Sequence, residues 1–450
     1  MEKIAKLKKA TYHLWAFVFS KLISSVGNSV YAFGMSLYIL ESTGSATGFA
    51  INLLCGTIPR TIFSPVAGLA ADRFSKKVIV LTSQSFSIFI VMALLLHSYF
   101  FELNIWAIYV TTACLSVSSM FTSVTFTSSI ANLIDEERIQ KAIAFNQTSV
   151  SISTIGGPML GGFLYGMSTM SIFLIIHMAS FMIAIVLEAT MNFKLFTNKD
   201  DQDHASTEGL LKSLKGGYDY IRQQRLLWTV LCTALIINFF SAVVVIGMPF
   251  IAIEQLEIKP AHFGVIEGAF SVGIFLASLY LSVRKEFQYP LLIVKRGIIF
   301  ISIIILSFIY PLMLDMSYVL TVVSFVVLSV LYGITNSLIN TPIGVIFQKH
   351  TKEAYRGRVF GMMETMAQAL SPISIILFGF LFDTIGALFT IIPTSIMMFS
   401  VIVYLLRHKV IVQHHPNYEP KWQDTFKHIQ NKLTPLYARM LVHTKNRFRQ

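Results

Sequence analysis

Residues 64–77 read SPVAGLAADRFSKK, a charged turn between two apolar runs. An apolar run ends in Pro65 and Gly68, a tight loop carries Asp72, Arg73, Lys76 and Lys77, and a second apolar run begins at Val78. Two membrane-length segments joined by so short a basic loop form a helical hairpin whose tip faces the cytoplasm.

The rest of the chain has the same character. Its 450 residues are 54% hydrophobic and 13% charged, with mean hydropathy +0.67. That balance excludes a soluble globular protein and implies a polytopic membrane protein. Cys55, Cys114 and Cys232 each lie in an apolar run with no pairing or ligand spacing, so they read as small core residues rather than a disulfide framework or metal site. The formal charge of +12 invites a nucleic-acid partner, but the placement of the basic residues argues against one.

Apolar runs fall at about 12–40, 46–70, 77–101, 105–133, 139–166, 168–193, 226–254, 261–283, 289–313, 317–346, 354–383 and 386–408, which makes twelve spans. Several exceed the ~20 residues a bilayer core needs, so tilt or protrusion is expected. The first run is too long for a signal-peptide core and lacks a cleavage pattern, so it counts as span 1. With the N-terminus inside and the loops assigned in alternation, 32 of the 35 Lys and Arg residues fall on the cytoplasmic side. Lys259 alone lies in an outer loop, and Lys21 and Arg60 fall inside spans. One misplaced span would destroy this asymmetry, so both termini are expected in the cytoplasm.

The chain also repeats. Residues 130–166 pass from a charged inner loop into span 5 and reach Pro158; residues 344–380 do the same into span 11 and reach Pro372. YILE at the end of span 1 parallels IAIE at the end of span 7. Offsets of about half the chain imply two parallel six-helix halves. The expected organisation is a bundle over 1–196, a cytoplasmic linker over 197–225, a second bundle over 226–408 and a basic tail over 409–450. The linker opens with the acidic run 199–203 and then carries Leu210, Leu211, Leu214, Tyr218 and Ile221 at amphipathic spacing. It reads either as a helix on the inner membrane surface or as a plain connection. In the tail, Trp422, Phe426, Ile429 and Leu433 suit a surface helix against anionic lipid, and a solvated tail is the alternative.

The loop at Asp72 resembles the signature between helices 2 and 3 of the major facilitator superfamily, with Ala70 where Leu is usual and Ser75 where Gly is usual. The resemblance implies that Gly68 allows close helix approach and that Asp72 sits against the positive start of a helix in the other half, flanked by Arg73, Lys76 and Lys77. In span 5, Gly157, Pro158, Met159, Leu160, Gly161 and Gly162 resemble the GPxxGG core of the family's antiporter motif. Ala144 and Ser153 stand at its two upstream glycine positions. Pro158 removes a backbone donor, and the glycines leave a smooth face for helix packing. LYILESTGSATGF, SPVAGLAADR, GPMLGG, GYDYIRQQRLLW, YRGRVFG and FGFLFDTIG, in this order, resemble the macrolide-efflux and siderophore-export branch. That resemblance implies the twelve-helix major facilitator fold, residence in a bacterial cell membrane, no cofactor, and export of a small molecule driven by protons. It also implies a monomer, because one chain carries both halves.

Coupling needs a group that titrates inside the membrane. Of 23 acidic residues only Glu267 and Glu364 fall well within spans, and a carboxylate there can take a proton from one side and release it on the other. Each could instead be satisfied by a buried base or hydroxyl. Glu267 is expected level with the GPMLGG segment, and Asp72 close to residues 354–359. Arg60 is expected to pair with Glu364 across the two halves, the alternative being that Arg60 snorkels to the inner headgroups. His177, on a span that is peripheral in this fold, reads as structural. In the family, spans 1, 4, 7 and 10 line the cavity, which implies cargo contact for Asn28, Tyr31, Asn238, Phe239, Tyr332, Asn336 and Asn340. Amides and aromatics suit a bulky amphipathic organic molecule, and each Asn could equally be glue between helices. The alternatives are a lipid flippase on the same fold and a non-transporting sensor. No nucleophile–base pair or metal spacing points to an enzyme.

Overall fold

The computed structural model describes residues 2–193, 195–196, 210–314, 316–352, 359, 362–363, 366 and 370–414. The side chains of residues 2–5, Pro65, Asp72, several residues over 131–147 and most of 210–217 lie outside the description. Among the described residues every regular element is a helix. Six come first: α1 (Glu2–Thr43), α2 (Ala46–Arg73), α3 (Lys76–Phe100), α4 (Ile105–Leu133), α5 (Glu136–Met167) and α6 (Met170–Ala189). The amphipathic α7 (Leu210–Gln223) leads into α8 (Arg225–Pro249), which runs on as a π-turn over Phe250–Gln255. Then follow α9 (Pro260–Val283), α10 (Pro290–Ser307), the single turn α11 (Tyr310–Met313), α12 (Tyr318–His350), α13 (Ser371–Leu405) and α14 (His408–His414).

The boundaries follow from local chemistry. Ser45, Asn104 and Thr169 cap α2, α4 and α6 by accepting from Gly48, Trp106 and Ile172 N–H groups. Pro260 and Pro290 occupy first-turn positions, where the missing N–H costs nothing. Gly386 breaks α13 with φ 78°, a left-handed conformation that glycine adopts without strain, so Ser371–Leu405 is two helices joined by a turn. Eight helices among the described residues are long and apolar enough to cross a membrane. The surface matches: Val186, Phe389 and Tyr404 are 65%, 72% and 73% exposed, an apolar belt that only lipid can cover.

Packing repeats along the chain. α1 lies on α5, α2 on α4, α3 on α4 and α6; correspondingly α8 lies on α13, α9 on α12, α10 on α12 and α13. α9 and α12 cross very closely, because a Cβ on Gly273 would meet Val330 O at 2.2 Å and one on Gly333 would meet Phe270 O at 2.0 Å. Two further pairings, α5 on α9 and α2 on α13, join the first six helices to the later ones. Both joints lie at the end of the bundle that carries Ser45. The largest core cluster is continuous there, taking Leu37, Leu40, Phe49 and Ala50 into the apolar interior of α8–α13. At the other end, around Phe74, the first six helices close on their own core, with Phe17 against Phe126 at 5.4 Å.

Candidate functional site

Three features mark the interface and interior of the first six helices. The first is a seam of glycines from the GPMLGG segment. Gly157 and Gly161 face α1, where added Cβ atoms would meet Ser29 Cβ at 2.2 Å and Val30 O at 3.0 Å. Gly162 faces α9, with Pro260 O at 2.6 Å and Gly264 Cα at 2.9 Å from its would-be Cβ. Gly166 meets Ala261 in the same way, and Phe33 stacks on Phe263 at 5.8 Å. Two backbones in contact along a face without side chains can slide with little steric resistance. Glu267 sits half-buried on α9 one turn beyond Gly264, and its neighbour Gly268 faces Met159. The carboxylate is thereby placed level with Pro158–Met159, within electrostatic reach of Tyr332, and no described residue hydrogen-bonds to it.

The second feature is a contact between Asp383 and the start of α2. A helix begins with backbone N–H groups that have no partner inside it. In α2 the N-cap Ser45 satisfies Gly48, and Asp383 from α13 accepts from Ala46 N at 2.7 Å, Thr47 N at 3.0 Å and Ser45 Oγ at 2.8 Å. An anion at the positive end of the helix is favourable dipole chemistry, here made across the two sets of helices. These hydrogen bonds tie the two sets of helices together.

The third feature is a cavity of about 330 Å³ inside the first six helices. It brings together Asn28, Tyr31 and Arg60 from the sequence reading and adds Lys21 and Gln84. Lys21 donates to Ser123 Oγ at 3.1 Å. Behind the wall the fully buried Glu188 accepts from Ser20 and, at 2.9 Å, from Gln84. Tyr31 stacks on His177 at 4.6 Å, and His177 is itself buried against Phe181.

The remaining sequence-predicted residues lie elsewhere. Asn238 donates to Ala234 O of its own helix, and Phe239 packs on Phe378. On α12, Asn340 donates to the side-chain oxygen of Asn336 at 2.8 Å, and buried Tyr332 packs on Phe270. These five do not line the cavity. No atom of the described residues lies within 4 Å of a would-be Cβ on Gly68, and residues 354–358, expected opposite this loop, lie outside the description. Lys76 and Lys77 clamp the loop inward by donating to Ser128 O at 2.7 Å and Ala189 O at 2.6 Å, near the ends of α4 and α6, while Arg73 is exposed. The side chain of Asp72, Glu364, residues 354–358, the acidic run 199–203 and the tail beyond His414 lie outside the described residues. Sequence reasoning missed the cavity role of Lys21, the burial of Glu188 and the Asp383 contact. Ser45 in STGSATG, directly before span 2, was the signal available for the last of these.

Long apolar helices in a repeated packing pattern, joined by a glycine seam and enclosing a polar cavity, define a membrane transporter. The chain belongs to the Major Facilitator Superfamily, whose family profile matches residues 17–375. It is similar to macrolide efflux protein A of Streptococcus pyogenes, with 22% identity over 86% of this chain and 92% of that one. It is similar to the staphyloferrin A transporter of Staphylococcus aureus, with 21% identity over 88% and 96%. In fold it matches a crystal structure of a bacterial homologue of iron transporter ferroportin in inward-facing state, at TM-score 0.61 and 14% identity over 87% of this chain and 98% of that one. The protein is thus a multi-pass transporter of the cell membrane, and its relatives are transporters, not enzymes.

Proposed function

We propose that the protein is a proton-coupled exporter of a small organic molecule, working by alternating access between two six-helix halves, 1–196 and 226–408. The observation that carries the reading is the seam of Gly162 on Pro260 and Gly264, a contact built for two rigid halves to rock on. The basic residues concentrated at the Phe74 end put that end in the cytoplasm, with both termini. The described joints between the halves then lie on the outer side. The relatives' names, a macrolide efflux protein and a staphyloferrin A transporter, support export of an organic cargo. Glu267, beside the sliding face, is the proton carrier in this reading, and one chain is self-sufficient.

Reconstituted vesicles with an imposed pH gradient test it, using a panel of macrolides, siderophores and labelled phospholipids. Gradient-dependent movement of a soluble cargo is the expected result. Lipid movement with no soluble flux would make the protein a flippase, and no flux of any kind in folded protein would make it a sensor.

A further inference from the structure

The cavity in the first six helices carries two cations on its wall, Lys21 and Arg60, and among the described residues no carboxylate. The two are within electrostatic reach of each other. Lys21 has three N–H donors, of which Ser123 takes one. Arg60 has no hydrogen bond or ion pair among the described residues. Among the described residues the negative group within electrostatic reach of Lys21 is Glu188, which is held by Ser20 and Gln84 and can neutralise at most one of the two charges. The remaining wall is rich in hydroxyls and amides, including Asn28, Ser25 and Ser119. An uncompensated cation inside a membrane protein is costly, and such groups mark the path of an ion or substrate. Guanidinium and ammonium together are the ordinary chemistry for holding a carboxylate or phosphate.

We propose that this cavity receives an anionic group of the exported molecule between Lys21 and Arg60, so that the cargo is a soluble organic anion. The inference rests on the exporter reading and narrows it. A basic amine in the same place would meet two like charges in a medium of low dielectric. A volume of about 330 Å³ accommodates the charged end of a drug-sized molecule.

Matched dyes test the sign of charge directly. Fluorescence anisotropy of fluorescein, an anion, and rhodamine 6G, a cation on the same ring system, is measured with the purified full chain in zwitterionic nanodiscs. Fluorescein is expected to bind more tightly than rhodamine 6G, to be displaced by benzyl phosphate, and to weaken at least tenfold in Lys21→Gln and in Arg60→Gln. Lys21→Arg and Arg60→Lys keep the charge and are expected to stay within threefold of wild type, which separates lost charge from lost fold. Rhodamine 6G binding as tightly as fluorescein, or fluorescein binding unchanged in both glutamine variants, overturns the proposal. Displacement by phosphatidylglycerol but not by benzyl phosphate would put a lipid headgroup in the cavity and overturn the soluble cargo. The exporter reading fails separately: gradient-driven export of a cation sinks this inference alone, and anion binding with no transport of anything sinks only the exporter.

Discussion

Replacing Asp383 by asparagine removes one charge from the contact that ties α13 to the start of α2. The carboxylate accepts three hydrogen bonds, at 2.7, 2.8 and 3.0 Å, two of them from backbone N–H groups at a helix start. Asparagine keeps one acceptor oxygen, but it loses the charge and offers N–H groups where a second acceptor stood. The site is exposed to solvent, so each contact is worth the low end of its range, and the loss is about 1–2 kcal/mol from the state closed at this end. That corresponds to a shift of about 5–30-fold in the ratio of open to closed. The assay uses a background with Cys55, Cys114 and Cys232 replaced and a reporter, Ala261→Cys, placed where Gly166 covers α9. In nanodiscs, the rate of maleimide labelling is expected to rise about 5–30-fold in Asp383→Asn and to stay near the starting value in Asp383→Glu. A rate within twofold of the parent in Asp383→Asn would show that the contact does not hold this end shut.

The counterpart at the other end is Asp72, expected at the start of the helix that precedes Pro372; Asp72→Asn should therefore slow labelling of Ala261→Cys and lose most transport while remaining in the membrane, and flux equal to wild type would refute it. Gly162→Ala places a Cβ within 2.6 Å of Pro260 O, a backbone atom that cannot turn aside, so it should speed labelling of the same reporter and lower transport by tenfold or more. Glu267→Gln should leave cargo binding intact and abolish the dependence of transport on pH; an unchanged pH profile would place coupling elsewhere, with the buried Glu188 the next residue to test.

What the sequence revealed and what it concealed divide along physical lines. Membrane-length apolar runs and the one-sided placement of Lys and Arg are properties of single segments, and they were readable directly. So was the seam, because a helix showing GPMLGG must set small residues against a neighbour, and the pairing of Gly162 with Gly264 follows once helix order is known. The cavity was half legible. Asn28, Tyr31 and Arg60 are recognisable as polar or aromatic groups in apolar spans, but Glu188 on α6 is held by Ser20 of α1 and Gln84 of α3 behind the wall that carries Lys21. No periodicity reports a network spread over three helices. Asn238 and Asn340 show a limit of another kind: an amide in a span can donate to its own helix, and composition cannot distinguish that from a group awaiting cargo. Asp383 reads as a residue at a helix end, and only the tertiary fold shows that the end belongs beside another helix's unpaired N–H groups.

In the proposed cycle, cargo leaves in exchange for protons. Its most direct test is proton movement itself, read in inside-out vesicles that hold an acidic interior and a trapped pH-sensitive dye. Adding a transported cargo should discharge the gradient in proportion to the protein present, and Glu267→Gln should abolish the discharge while binding persists. Cargo accumulation at an undiminished rate with no accompanying change in internal pH would contradict the account.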